Sequence, residues 1–205
     1  MKKNNLIIII TLIVLLALVS FYLDSEIVKG VFLIRNAFLS DFFMGITFVS
    51  SEIIIFFGLT SLFLWREHKR KFIVPLWITL GLSALVSFIL KFGIQRLRPY
   101  QLGLVPVLTI LEKANHFSWN FSFPSFQAML VFCAVPILSK EFPKLKYAWI
   151  VFAGLVAFSR VYFGLHFLSD VIMGGLIGYL IGMIILKVEK ESKFGEKVYK
   201  KIIGK

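Results

Sequence analysis

Apolar residues run along this chain in long blocks separated by short polar or charged borders. Six blocks stand out: Asn5–Tyr22, Phe42–Leu64, Phe72–Gln95, Ser125–Ser139, Tyr147–Tyr162 and Phe167–Leu186. A helix of about 20 residues crosses a hydrocarbon core of about 30 Å. The pattern predicts an all-α, polytopic membrane protein with six transmembrane helices in one bundle. The fourth block is short for a crossing, so its helix is expected to begin earlier or to lie deep among its neighbours. Between the first two blocks, IVKGVFLIRNAF mixes three- and four-residue apolar spacing with isolated charges, which predicts a short interfacial helix. The lysine-rich stretch from Lys187 to Lys205 predicts an amphipathic helix on the membrane surface. Three regions follow: 1–71 with two N-terminal spans and the interfacial segment, 72–186 as a four-span core, and 187–205 as a basic cytoplasmic tail.

Composition strengthens this picture. The chain is 59% hydrophobic with a mean hydropathy of +0.87, more than a soluble domain of 205 residues has interior to bury. The N-terminus MKKNNLIIIITLIVLLALVS has the basic start and apolar centre of a signal peptide. No small-x-small cleavage site follows, so an uncleaved first span is expected. The single cysteine, Cys133, falls inside an apolar block and allows no intrachain disulfide.

A net charge of +12 raises nucleic acid as a partner, but the distribution of the charge argues against it. Lys2, Lys3, Arg66, Lys69, Arg70, Lys71, Lys140, Lys144, Lys146 and seven tail lysines make 16 of the 23 basic residues. In a six-span arrangement all of them fall on one side. Positive-inside bias makes that side cytoplasmic, with both termini, and the lysines face anionic headgroups. Lys91, Arg96, Arg98 and Arg160 break the rule by clustering at the outer ends of the third and fifth blocks. They need another reason to be there.

Three segments meet at that outer face: KFGIQRLRP from Lys91, FPSFQ from Phe123, and SRVYFGLHFLSD from Ser159. Basic residues at span ends often snorkel to headgroups. Yet Lys91 and Arg98 lie seven apart, two helical turns and one face, with Pro99 stopping the helix beside them. With Arg160 they would form an anion site. Pro124 and Ser125 read as a helix start, whose free N–H groups attract phosphate. His166 and Asp170 are spaced i, i+4, so one carboxylate can reach one imidazole, with Gly164 permitting a turn before them. Ionisable groups set into membrane chain point to function.

Lys91-x6-Arg98-Pro99, Pro124-Ser125 and Ser159-Arg160-x5-His166-x3-Asp170 resemble the three signature motifs of the type 2 phosphatidic acid phosphatase family, which is related to vanadium haloperoxidases. The first and third match at every defining position, and the resemblance covers about Phe72 to Leu186. It implies a phosphatase that needs no metal or cofactor and acts on a phospholipid or a polyprenyl phosphate or diphosphate at the extracytoplasmic face. His166 would attack phosphorus and form a phosphohistidine, with Asp170 orienting it. Lys91, Arg98, Arg160, Ser125 and the Phe126 N–H would hold phosphoryl oxygens. The second motif departs: Gln127 stands where the family has its general-acid histidine, and Phe126 where glycine is usual. Glutamine delivers no proton, and losing a general acid typically costs about 10²–10⁴-fold in rate. Four readings stay open: a diphosphate substrate with a good leaving group, His116 acting from the outer loop, a phosphotransferase, or a weakened or silent lipid-phosphate binder. The Leu-, Val- and Phe-rich loop Tyr100–Ser122 is expected to lie against the membrane and admit the lipid chain.

Overall fold

A computed structural model describes residues 3–106, 108, 111 and 120–202, with the side chains of 3–7, 9 and 10 left aside. Among these the chain is helical and forms no strand. The helices are α1 (Lys3–Leu33), α2 (Ala37–Val49), α3 (Glu52–Leu64), α4 (Ile73–Ile94), α5 (Phe126–Cys133), α6 (Val135–Glu141), α7 (Lys146–Tyr162), α8 (Leu168–Ser192) and α9 (Phe194–Ile202). Short 3₁₀ turns at Glu67–Phe72 and Pro143–Leu145 lead into α4 and α7.

Four segments are long and apolar enough to cross a membrane: Thr11–Leu33, Glu67–Ile94, Pro143–Tyr162 and Leu168–Ser192. The bent pair Ala37–Val49 and Glu52–Leu64, at 61°, makes a fifth if it counts as one span. Among the described residues, four or five of the expected six are found, and six are not confirmed. The fourth block is the shortfall, because it forms two short helices that part at Ala134, with Pro136 opening the second. Proline lacks the N–H that a continuous helix would use there.

Two boundaries also differ from expectation. Ile27–Leu33 continues α1 instead of forming its own helix, and the chain turns only at Ile34–Asn36. Asn36 then caps α2 by accepting the Leu39 N–H at 2.9 Å. At the other end α8 runs to Ser192, past Leu186. Lys193 breaks it at φ 52°, and α9 follows.

The bundle is tightest between α5 and α8. Gly174, Gly178 and Gly182 repeat every four residues and share one face of α8. A Cβ added at each would stand under 3.0 Å from the carbonyl oxygens of Ser125, Met129 and Cys133 respectively. Small residues let the two backbones meet, as membrane helices require in the absence of a hydrophobic drive between them. A second buried cluster joins Phe63, Leu76 and Leu80 to Val131, Ile137 and Leu138. Long stretches of α1 leave Leu12, Leu15, Leu16, Leu18 and Val19 exposed, an apolar flank suited to lipid.

The basic loops gather at one end of the bundle. Lys69 pairs with Glu141 at 3.6 Å and Lys71 with Glu196 at 3.9 Å, drawing the turn before α4 to α6 and α9. The far ends of α4 and α7 and the start of α8 bring the three sequence motifs together at the opposite end.

Candidate active site

His166 sits in the turn between α7 and α8. Gly164 takes φ +68°, which a side chain would make strained, and the N–H groups of Leu165 and His166 return to the Arg160 carbonyl at 3.0 and 3.3 Å. The imidazole is buried, with Nδ1 at 2.7 Å from the Ser122 carbonyl oxygen. A carbonyl only accepts, so Nδ1 carries the proton and Nε2 presents its lone pair. Arg98 Nη1 stands 3.3 Å from that Nε2.

The direct His166–Asp170 hydrogen bond expected from their spacing does not form. His166 precedes α8 rather than lying on it, and the two groups are 3.9 Å apart. Ser122 stands between them, giving its hydroxyl to Asp170 and its carbonyl to His166. Asp170 Oδ2 also accepts the Phe167 N–H at 2.8 Å, closing the first turn of α8. Its Oδ1 accepts Arg96 Nη1 at 2.6 Å.

Arg96 is a residue whose role the sequence left unassigned. It bridges two carboxylates, Asp170 and Asp24 of α1, the latter at 2.7 Å, and packs over the Phe167 ring at 4.0 Å. Asp24 in turn accepts the Ser169 N–H at 3.0 Å. One arginine thus ties α1 to the start of α8.

The other three cations behave differently. Lys91 donates to the Phe121 carbonyl, and Arg98 to the Leu165 carbonyl at 3.0 Å and the Asn120 carbonyl at 3.4 Å. Arg160 donates to Thr47 Oγ1 and to Ser159 Oγ. All three are buried, yet among the described residues none is ion-paired with a carboxylate. Buried charges normally have ionic partners, so this cluster is one that can take an anion. Burial lowers Arg98 to about 10, far enough above neutral to keep it charged. Burial first, then the cations Arg98, Lys91 and Arg160, hold His166 well below its ordinary 6.5. A neutral imidazole of this tautomer presents its Nε2 lone pair beside Arg98 Nη1.

Lys91 and Arg98 do not share a helix face as their spacing implied. Gln95 ends α4 in the left-handed region at φ 52°, before Pro99 is reached, and the following loop folds Arg98 back toward Lys91. Ser125 occupies the N-cap position of α5, but its hydroxyl caps nothing there. Its Oγ is buried with no partner among the described residues. Phe126 is the first residue of α5, and Gln127 Nε2 donates to Glu52 Oε1 at 3.1 Å. His116 lies outside the described residues.

These groups surround a cavity of about 610 Å³ lined by Thr47, Glu52, Lys91, Arg98, Gln127, Arg160 and His166, among others. A more apolar groove of about 350 Å³, with Phe56, Trp77, Leu80 and Leu130, shares Glu52, Ala84 and Phe126 with it. The buried cations, His166 and an apolar groove are therefore contiguous. Besides Arg96, reading the sequence missed Asp24, Thr47, Ser122 and Glu52. For Glu52 the signal was present: it is an acid inside the apolar block Phe42–Leu64, where ionisable residues are costly.

Fold and site together define a helical protein with membrane-length apolar segments and a cationic cavity around a buried histidine. Residues 72–194 match the PAP2 superfamily, and the chain belongs to that family. It is 31% identical over 191 residues to phosphatidylglycerophosphatase B of Bacillus subtilis (strain 168), covering 85% of this chain and 87% of that protein. It is 29% identical over 138 residues to the undecaprenyl-diphosphatase of Sulfolobus acidocaldarius, covering 66% of this chain and 64% of that protein. Among solved structures it is similar to the transmembrane PAP2-type phosphatidylglycerolphosphate phosphatase of Bacillus subtilis. The TM-score is 0.70 at 26% identity, over 90% of this chain and 97% of that one.

Proposed function

We propose that this protein is an integral-membrane phosphatase of lipid phosphates or diphosphates that works through a phosphohistidine on His166. The observation that carries the reading is the cluster of Lys91, Arg98 and Arg160, buried without carboxylate partners among the described residues, around the Nε2 lone pair of His166. Phosphoryl transfer asks a protein mainly for positioning and charge stabilisation. Three cations hold the phosphoryl oxygens as Nε2 forms the N–P bond and the P–O bond to the lipid breaks. Ser122 and Asp170 stabilise the imidazolium through the Nδ1 proton. Water then cleaves the N–P bond and releases phosphate. The lipid chain lies in the groove between Phe56, Trp77 and Leu130. The relatives' names, a phosphatidylglycerophosphatase and an undecaprenyl-diphosphatase, support a lipid phosphoester substrate.

The cations supply the charge that a metal gives other phosphatases, and Asp170 is already engaged by Arg96, so the reaction runs without metal. The site faces the extracytoplasmic side, because the described basic loops around Lys69, Lys71 and Lys140 lie at the other end of the bundle and positive-inside bias makes that end cytoplasmic. A thiol probe at Leu102→Cys should react from outside intact cells and one at Arg66→Cys only after permeabilisation, native Cys133 being buried. The reverse pattern would overturn the orientation.

A second reading is favoured by Gln127, which replaces the proton donor of the family: a lipid-phosphate binder without turnover. Phosphate release by purified protein from a panel of lipid monophosphates and diphosphates separates the two. Release that disappears in His166→Ala, with phosphate binding retained, supports the phosphatase. Binding without release from any substrate supports the binder. Phosphate passed to an added alcohol instead of water would mark a phosphotransferase.

A further inference from the structure

The cavity holds one carboxyl group with no counterpart in the motifs. Glu52 opens α3 at the 61° break after Ser50 and Ser51, a bend that turns the start of α3 toward the site. Its Oε1 accepts Gln127 Nε2 at 3.1 Å, so the side chain that replaces the usual proton donor holds Glu52 in place. Glu52 also borders both the cationic cavity and the apolar groove. A lipid phosphate bound with its phosphoryl group among the cations and its chain in the groove has its bridging oxygen at that junction.

We propose that Glu52 is the general acid and base of the reaction, taking the role Gln127 cannot fill; this rests on the phosphatase reading above. As His166 Nε2 forms its bond to phosphorus, the P–O bond breaks and the Glu52 carboxyl proton passes to the departing oxygen. The lipid alcohol leaves and Glu52 remains as the carboxylate. It then takes a proton from the water that attacks phosphorus. The N–P bond breaks, phosphate departs, and carboxyl and imidazole are regenerated. Gln127 is a positioning residue, fixing Oε1 through its amide.

The test compares leaving groups. Wild type, Glu52→Gln and the double variant Glu52→Gln/Gln127→His are assayed on an alkyl phosphate monoester, whose alkoxide needs a proton, and on 4-nitrophenyl phosphate, whose phenolate does not. Glu52→Gln should lose about 10²-fold or more in kcat/KM on the alkyl ester and little in kcat/KM on the nitrophenyl ester, because kcat/KM reports formation of the phosphohistidine and not the later step in which Glu52 is the base. The double variant, with an imidazole now supplying the proton, should recover alkyl ester hydrolysis. Equal losses on both substrates, or no loss on either, would overturn the role of Glu52. Hydrolysis of a lipid diphosphate alone, whose leaving group needs no acid, would overturn the role of Glu52; if wild type hydrolyses neither monoester nor a lipid diphosphate in a His166-dependent way, the phosphatase reading itself fails. Far-ultraviolet circular dichroism and a retained kcat/KM on nitrophenyl phosphate separate chemistry from misfolding.

Discussion

Removing Arg96 tests whether the scaffold under the nucleophile is held by one arginine. Arg96 is 17% exposed, while Asp24 and Asp170 are 3% and 0% exposed, so Arg96→Met leaves two carboxylates buried without their cation. Breaking a buried pair by removing one partner costs about 3–5 kcal/mol. Both acids keep other bonds, Asp24 to Ser169 and Asp170 to Ser122 and the Phe167 N–H, and the methionine keeps part of the packing on Phe167. The loss should therefore lie near about 3 kcal/mol. Asp24→Asn in the Arg96→Met background removes one orphaned charge and should recover part of it, a coupling of about 0.5–3 kcal/mol. Equilibrium unfolding in mixed micelles measures the four corners of this cycle. Turnover should fall with KM nearly unchanged, since Arg96 touches Asp170 and not the substrate. An Arg96→Met protein within about 0.5 kcal/mol of wild type, or a zero coupling with Asp24, would refute the reasoning.

Three further outcomes follow from the same geometry. Protonation of His166 removes the attacking lone pair, and because burial and the cations lower its pKa, that loss comes at lower pH than for an ordinary imidazole. In a Glu52→Gln background kcat/KM for 4-nitrophenyl phosphate should thus hold as pH falls through 6.5 and decline only below it; half-loss above 6.5 would contradict this. Gly178→Ala sets a methyl against the Met129 carbonyl and should destabilise the fold by about 1–3 kcal/mol, the range for overpacking, so an unchanged unfolding curve would show that α5 and α8 are not in backbone contact. Activity should survive EDTA dialysis, and loss restored by a divalent ion would count against a cation cluster acting alone.

The site was legible in the sequence for a physical reason: ionisable residues inside apolar blocks are expensive, so those present advertise work. His166, Arg160, Lys91 and Arg98 were found this way and do line one cavity. Their geometry was not legible. Spacing placed Lys91 and Arg98 on one helix face, yet a left-handed Gln95 ends the helix and a loop brings Arg98 back. Spacing also paired His166 with Asp170 directly, whereas the fold inserts Ser122, a residue 44 positions from His166. Six spans are not confirmed: the second block bends at Ser50–Ser51 and the fourth parts at Ala134, and breaks inside apolar blocks leave hydropathy almost unchanged.

The largest gap lay between two arginines two residues apart. In KFGIQRLRP, Arg96 and Arg98 look equivalent, each a cation at a span end. The fold gives them opposite tasks. Arg96 turns toward two acids and is neutralised by them, one of which is Asp24, 72 positions away on α1. Arg98 turns toward Nε2 of His166, and among the described residues its guanidinium meets carbonyl oxygens and the imidazole. A paired cation holds a scaffold together, while a buried cation with no carboxylate partner keeps its field for a ligand. Pairing is a property of residues far apart in the chain, so no local pattern distinguishes the two. The same argument applies to Glu52. An acid within an apolar block signals a function, but only its position beside Gln127, between cavity and groove, says that the function is to move a proton.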